Sequence, residues 1–191
     1  MNDTNHLKLA FVGDIGLVGR FGSLSSIPEG FFSEFKKRTA DCDFVIGNLE
    51  VVLCDKSLTE YQPKSASLRA GREAVKVIAA AGINVVNLAN NHAFDFGDEG
   101  LKSSKAALDA EGIPYFGTSR SPLVISKNGV TVEFHGSCNL SSNPSVDWRA
   151  RGGVNITTSD ALPRAQQEAV SIFSHHTGEE HVDLPDLEDV V

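Results

Sequence analysis

The sequence predicts an α/β fold whose first half is a parallel sheet. Two observations carry this: short apolar runs alternate with stretches of helical spacing between residues 7 and 116, and three of those runs end in a polar cluster. After Pro122 the pattern changes to closely spaced strands around an Asn-Gly turn, which adds antiparallel pairing to the parallel half.

Taken in order, residues 7–12 form an apolar strand that breaks at Gly13-Asp14, and residues 27–38 carry Phe31, Phe32 and Phe35 at helical spacing. Residues 43–46 form the next short strand. Residues 72–81 are helical and stop at Gly82, after which the apolar run 83–89 is another buried strand. Gly97-Asp98 opens a helix over 99–111, closed by Gly112 and followed by a strand at 114–116. Strands alternating with helices in this way favour right-handed parallel crossovers.

Residues 123–126 and 130–135 flank Lys127-Asn128-Gly129 as a hairpin. Residues 141–158, rich in Ser, Asn, Gly and Arg, are expected to be a loop near the site, 159–170 a short helix, and the residues up to Ser174 a strand. No repeat or internal boundary interrupts the chain, so a single domain over 1–191 is expected, with an acidic tail at 179–191.

Composition narrows the function. The 191 residues are 41% hydrophobic and 22% charged, which is ordinary globular usage with a real core. A net charge of −8 with scattered basic residues excludes a nucleic-acid-binding surface, because a polyanion needs a concentrated basic stripe. Cys42, Cys54 and Cys138 lack a CxxC pair and indicate neither a disulfide framework nor a thiolate zinc site. No basic leader with an apolar core opens the sequence and no apolar run reaches spanning length, so a cytoplasmic protein is expected.

The polar clusters that end the strands are Gly13-Asp14, Gly47-Asn48-Leu49-Glu50 and Asn90-Asn91-His92. In a parallel sheet these ends share one edge, where α/β ligand sites form. Asp14, Glu50, Asn91 and His92 together offer carboxylate, amide and imidazole donors suited to Mn²⁺, Mg²⁺, Fe²⁺ or Zn²⁺. A fourth cluster, from Ser174 to Glu180, brings more imidazole if its strand joins that sheet.

The strings GDIGLVGR from Gly13, ADCDFVIGNLE from Ala40 and NLANNHAFDFGDEGL from Asn87 resemble the leading motifs of the CapA, or poly-γ-glutamate capsule synthesis, family, a branch of the calcineurin-like metallophosphoesterases. The resemblance implies a layered α/β/β/α sandwich with mixed sheets and a dinuclear site. In it Asp14 binds the first divalent ion, Glu50 bridges, Asn91 and His176 bind the second, and His92 faces the substrate as the catalytic residue, protonating the leaving group or stabilising charge. Asn48 is placed as an orienter of ligands. The string HHTGEEH resembles the family's HWGxEY block, but the later GHHPH block is absent, so the resemblance implies a fold incomplete at the C-terminus, its missing ligands supplied by a longer chain, supplied by a partner chain, or lost.

Each residue also has a plainer reading. Asp14 in a Gly-Asp pair can serve a turn, Asn90-Asn91-His92 can cap a helix, and Asp95 and Asp98 suit a helix start. His176 competes with His175, since a one-residue slip in register exchanges them. His135 is expected to be a core or edge histidine. Arg20 and Arg69 are candidates for holding a phosphate or carboxylate, with solvent exposure as the alternative. The function expected from the resemblance is capsule or poly-γ-glutamate biosynthesis through metal-dependent hydrolysis of a phosphoester or polyanionic polymer intermediate. The alternatives are a non-catalytic subunit of polymer assembly and an inactive fragment.

Overall fold

The computed structural model describes residues 6–23, 27–60, 66–138 and 168–177. Its elements in chain order are β1 (Leu9–Asp14), α1 (Ser33–Thr39), β2 (Phe44–Asn48), β3 (Val52–Leu53), β4 (Arg69–Ala70), α2 (Val75–Ala81), β5 (Val85–Asn87), α3 (Gly97–Ala110), β6 (Tyr115–Phe116), β7 (Leu123–Lys127), β8 (Val130–Cys138) and β9 (Ala169–His176). Short 3₁₀ turns occupy Phe21–Ser23 and Arg72–Ala74.

The expected parallel half is present as a sheet in the order β1-β2-β5-β6, every neighbour parallel. Asp14 pairs with Asn48 and Asn48 with Asn87, so three strands end level and their polar clusters emerge side by side. The second sheet, β7-β8-β9, is mixed: β7 is antiparallel to β8, and β9 is parallel to it. Asn128 and Gly129 both take positive φ in the two-residue turn between β7 and β8, the conformation that makes Asn-Gly a hairpin signal.

Alternation along the central strands divides the core. Val45, Leu49 and Val86 face Val77, Ile78 and Ala81 of α2 and Leu108 of α3. Phe44, Ile46 and Val85 face Val132 and Phe134 of β8. Phe134 is fully buried, with its ring 5.9 Å from Phe44 and 5.6 Å from Phe116. Among the described residues, helices, parallel sheet and mixed sheet thus stack in three layers, a mixed α/β architecture consistent with the metallophosphoesterase-like sandwich.

The structure differs from the sequence expectation at several points. Residues 28–33 close successive turns, with Phe31 N–H on the Pro28 carbonyl and Ser33 N–H on that of Gly30, so helix begins only at Ser33. The expected helix over 159–170 is overturned at its end, where Ala169 and Val170 pair as strand with Thr131 and Val132. The rest of that helix, the 141–158 loop and the 179–191 tail lie outside the described residues. β9 joins the second sheet rather than the first. Val52↔Arg69 and Leu53↔Ala70 form a small parallel pair that has no sequence signal.

Cys54 and Cys138 are buried thiols outside any disulfide and Cys42 is partly buried. Among the described residues no helix is long and apolar enough to cross a membrane.

Candidate metal centre

Gly136 lets the second sheet approach the ends of the first. A Cβ there would collide with Asn87 Oδ1 and stand 2.6 Å from Gly117 Cα, so only glycine fits without a shift. Asn87 donates to Asn48 Oδ1 at 3.3 Å and to Ser174 Oγ of β9 at 3.4 Å, tying the two sheets together. Asn90 donates to the same Asn48 oxygen at 3.1 Å and to the Leu49 carbonyl at 2.9 Å. The buried amides therefore build a scaffold in which most polar atoms have partners.

On this scaffold β9 delivers His176 to the edge where Asp14, Asn48, Glu50 and Asn91 emerge. Asn48 Nδ2 donates to Asp14 Oδ1 at 2.7 Å and lies 3.1 Å from His176 Nδ1. Without a metal that amide N–H faces Nδ1 and the ring proton of neutral His176 sits on Nε2; an ion bound at Nε2 would require the proton on Nδ1 and the Asn48 contact to give way. Nε2 is 3.0 Å from Asn91 Oδ1 and 3.4 Å from Glu50 Oε1. His176 holds the Glu50 carboxyl below its ordinary range, against the opposing effect of burial.

Two donors bound about 2.1 Å from one ion in tetrahedral or octahedral array stand about 3.0–3.4 Å apart. The spacings from His176 Nε2 to Asn91 and Glu50 fit that range, and imidazole, amide oxygen and carboxylate suit the borderline and hard divalent ions. Asp14 stands on the other side of the ring, 3.8 Å from Nδ1, with its side chain 54% exposed. Among the described residues no three His, Cys, Asp or Glu side chains gather to hold a metal; the third group beside His176 and Glu50 is the amide oxygen of Asn91. Beside the cluster lies a cleft of about 210 Å³ lined by Phe11, Gly13, Asp14, Gly47, Ser174 and His175 among others.

His92 is 6% exposed, with Nε2 3.9 Å from Glu50 Oε1 and Nδ1 2.8 Å from Asp95 Oδ2. Asp95 is buried at 1% exposure and also accepts the Leu68 N–H at 2.6 Å. The helix-start reading of Asp95 is therefore replaced by a buried partnership with His92. The His92-to-Asp95 spacing of three residues, closed by the Asp95 N–H on the His92 carbonyl, is the signal that could have found it. Asp98 and Glu99 do sit in the first turn of α3.

The remaining candidates are dispersed. Arg69 donates to the carbonyls of Lys56 at 2.9 Å and Leu58 at 2.7 Å and lies 4.0 Å over the Phe96 ring, so its guanidinium holds a loop instead of presenting itself to an anion. Arg20 borders a separate apolar hollow with Phe21, Phe31 and Phe32. His175 points to Ser137 Oγ, 2.7 Å from Nδ1, so the strand alternation that sends His176 to Asn91 sends its neighbour elsewhere. His135 is 8% exposed and stacks on Phe173 at 4.6 Å, the core or edge role expected of it.

A family model described as bacterial capsule synthesis protein PGA_cap matches residues 8–190. The PGA biosynthesis protein CapA of Bacillus subtilis (strain 168) is 30% identical over 194 residues, covering 94% of this chain and 51% of that protein. The capsule biosynthesis protein CapA of Bacillus anthracis is 26% identical over 207 residues, covering 96% of this chain and 49% of its own length. The chain spans about half the length of these curated relatives.

Proposed function

The chain belongs to the PGA_cap family of bacterial capsule synthesis proteins, and on that premise we propose that it is a metal-dependent hydrolase acting on a phosphoester or polyanionic intermediate of capsule polymer synthesis. The observation that carries this reading is the convergence of His176 Nε2, Asn91 Oδ1 and Glu50 Oε1 at ligand-to-ligand spacing. Asp14, Glu50 and Asp95 surround the site with carboxylates, and an anionic substrate enters such a site only with cations to offset them.

Glu50, Asn91 and His176 would hold one divalent ion and Asp14 would contribute to a second, shared with Glu50. Bound divalent metal supplies Lewis-acid polarisation of the substrate oxygen and a water of lowered pKa. Asn48 orients Asp14 through its amide N–H. His92, with Nδ1 against Asp95 and Nε2 toward Glu50, would give the departing oxygen a proton from Nε2 when both ring nitrogens carry one. Gly13, whose missing side chain would meet nothing within 4 Å, borders the adjoining cleft, which has room for the body of the substrate.

Turnover of an aryl phosphoester in the presence of Mn²⁺ tests this reading. A drop on the order of 10²–10⁴ in His92→Ala is expected for loss of a general acid. A folded wild type without turnover in Mn²⁺, Fe²⁺, Mg²⁺ or Zn²⁺ would remove the hydrolase.

The second reading is a polymer-binding subunit of capsule assembly without turnover. The exposure of Asp14 favours it: its carboxylate is held by the Asn48 amide and stands 3.8 Å from His176, a thin environment for a first metal position.

A further inference from the structure

The proposed hydrolase leaves two kinds of substrate open, a small phosphoester and a polyanionic polymer, and the cleft beside the metal centre distinguishes them. We infer that Phe11 is the specificity-determining residue of that cleft, a platform for the ring of a phosphoester whose phosphoryl group sits at the Asp14 and His176 end. The ring is a sugar or an aryl group, either of which can lay one face on an aromatic side chain. The inference rests on the proposed function for the phosphoryl position alone.

Three observations carry it. Phe11 pairs with Ile46, and Leu9, two residues earlier, pairs with Phe44, so the register turns Phe11 to the side where Leu9, Phe44 and Ile46 pack against the second sheet. Leu9 is partly buried there and Ile46 is 2% exposed, yet Phe11 stays 57% exposed. Among the described residues no aromatic ring or cation packs on it. Phe11 also borders the same cleft as Asp14, Asn48 and His176, so one ligand reaches both ends. Finally, the cleft measures about 210 Å³, under the roughly 300 Å³ at which small-molecule sites begin. That size suits one ring with its phosphoryl group rather than a stretch of polymer.

The two ends recognise different chemistry. Carboxylate, amide and imidazole gather at one end, where an anion is held with its cations. At the other, Phe11 and Ile46 offer no polar side chain, so the charges of a polyanion would lose water there without gaining a partner. A ring face loses little and gains contact while it shields the exposed phenyl group. Phe11 therefore selects by adding affinity for ring-bearing phosphoesters and takes no part in bond breaking.

The test is calorimetric titration of the Mn²⁺-loaded protein with three phosphonates that resist hydrolysis: phenylphosphonate, a glycosyl methylphosphonate and methylphosphonate. In wild type a ring-bearing ligand should bind more tightly than methylphosphonate, and the stronger of the two identifies the ring as aryl or sugar. Phe11→Ala should weaken that ligand on the order of 3- to 10-fold and leave methylphosphonate unchanged, while Phe11→Trp retains the preference. Equal affinity of all three in wild type, a ring preference that survives Phe11→Ala, or a loss shared by methylphosphonate would overturn the inference. So would a Phe11→Ala variant that changes only in sedimentation, which would make Phe11 a contact between copies of the chain. Absence of binding by all three removes the inference together with the metal centre. Failure of the hydrolase reading alone would appear separately, as ring-dependent binding without turnover of the aryl phosphoester.

Discussion

His176 Nε2 lies 3.0 Å from Asn91 Oδ1, although one residue ends a strand of the mixed sheet and the other follows a strand of the parallel sheet. The contact bridges the two halves of the sandwich, so the chemistry of the site depends on how the sheets pack.

Gly136→Ala should displace β9 from the site. Its new methyl meets Asn87 Oδ1, and because Asn87 also binds Asn48 and Ser174, the shift propagates to His176. A destabilisation of about 1–3 kcal/mol is expected from overpacking, measured by urea unfolding. Metal affinity should fall with it. An unchanged midpoint would show that the sheets approach less closely than described.

Phe134→Ala removes a ring with no exposed surface from between the sheets. A loss of about 3–5 kcal/mol is expected by the same measurement. Val124→Ala, at a position 49% exposed, should change stability by less than about 0.5 kcal/mol.

Glu50 sets a pH dependence. Its folded-state pKa is depressed below the ordinary 4.5, first by the contact with His176, so its contribution is fully present above that value and is lost as pH falls through the lower folded value. Unfolding midpoints of wild type and Glu50→Gln, followed from pH 6 downward in metal-free buffer, should converge as the pH drops. Divergence at low pH would contradict the sign.

Asn48→Ala should act on both sides of the site at once, since its amide contacts Asp14 and His176 and its oxygen receives Asn87 and Asn90. Divalent metal affinity is expected to fall on the order of 10–100-fold, read by calorimetric titration with Mn²⁺. Asn48→Asp offers the oxygen but no donor and should not rescue it.

Much of this arrangement was legible in the sequence. Asp14, Asn48 and the approach to Asn91 follow apolar runs of a parallel sheet, whose strand ends necessarily share an edge. The Asn-Gly hairpin declared its own turn. His176 was harder, because period-two alternation assigns His175 and His176 to opposite sides without saying which faces inward, and only the pairing Cys138↔His176 settles the register. Val52–Leu53 and Arg69–Ala70 were invisible, since two-residue strands carry no periodicity. Asp95 was hidden by its place just before a helix, where an acid has an ordinary explanation, and Arg69 by the general affinity of guanidinium for anions.

The most direct test of the central claim is Mn²⁺ or Zn²⁺ stoichiometry in purified protein, with His176→Ala and Asn91→Ala set beside His175→Ala. At least one ion per chain in wild type, retained in His175→Ala and lost in both other variants, is the predicted result. A folded wild type that binds no divalent ion, or one whose binding survives His176→Ala and Asn91→Ala, would contradict it.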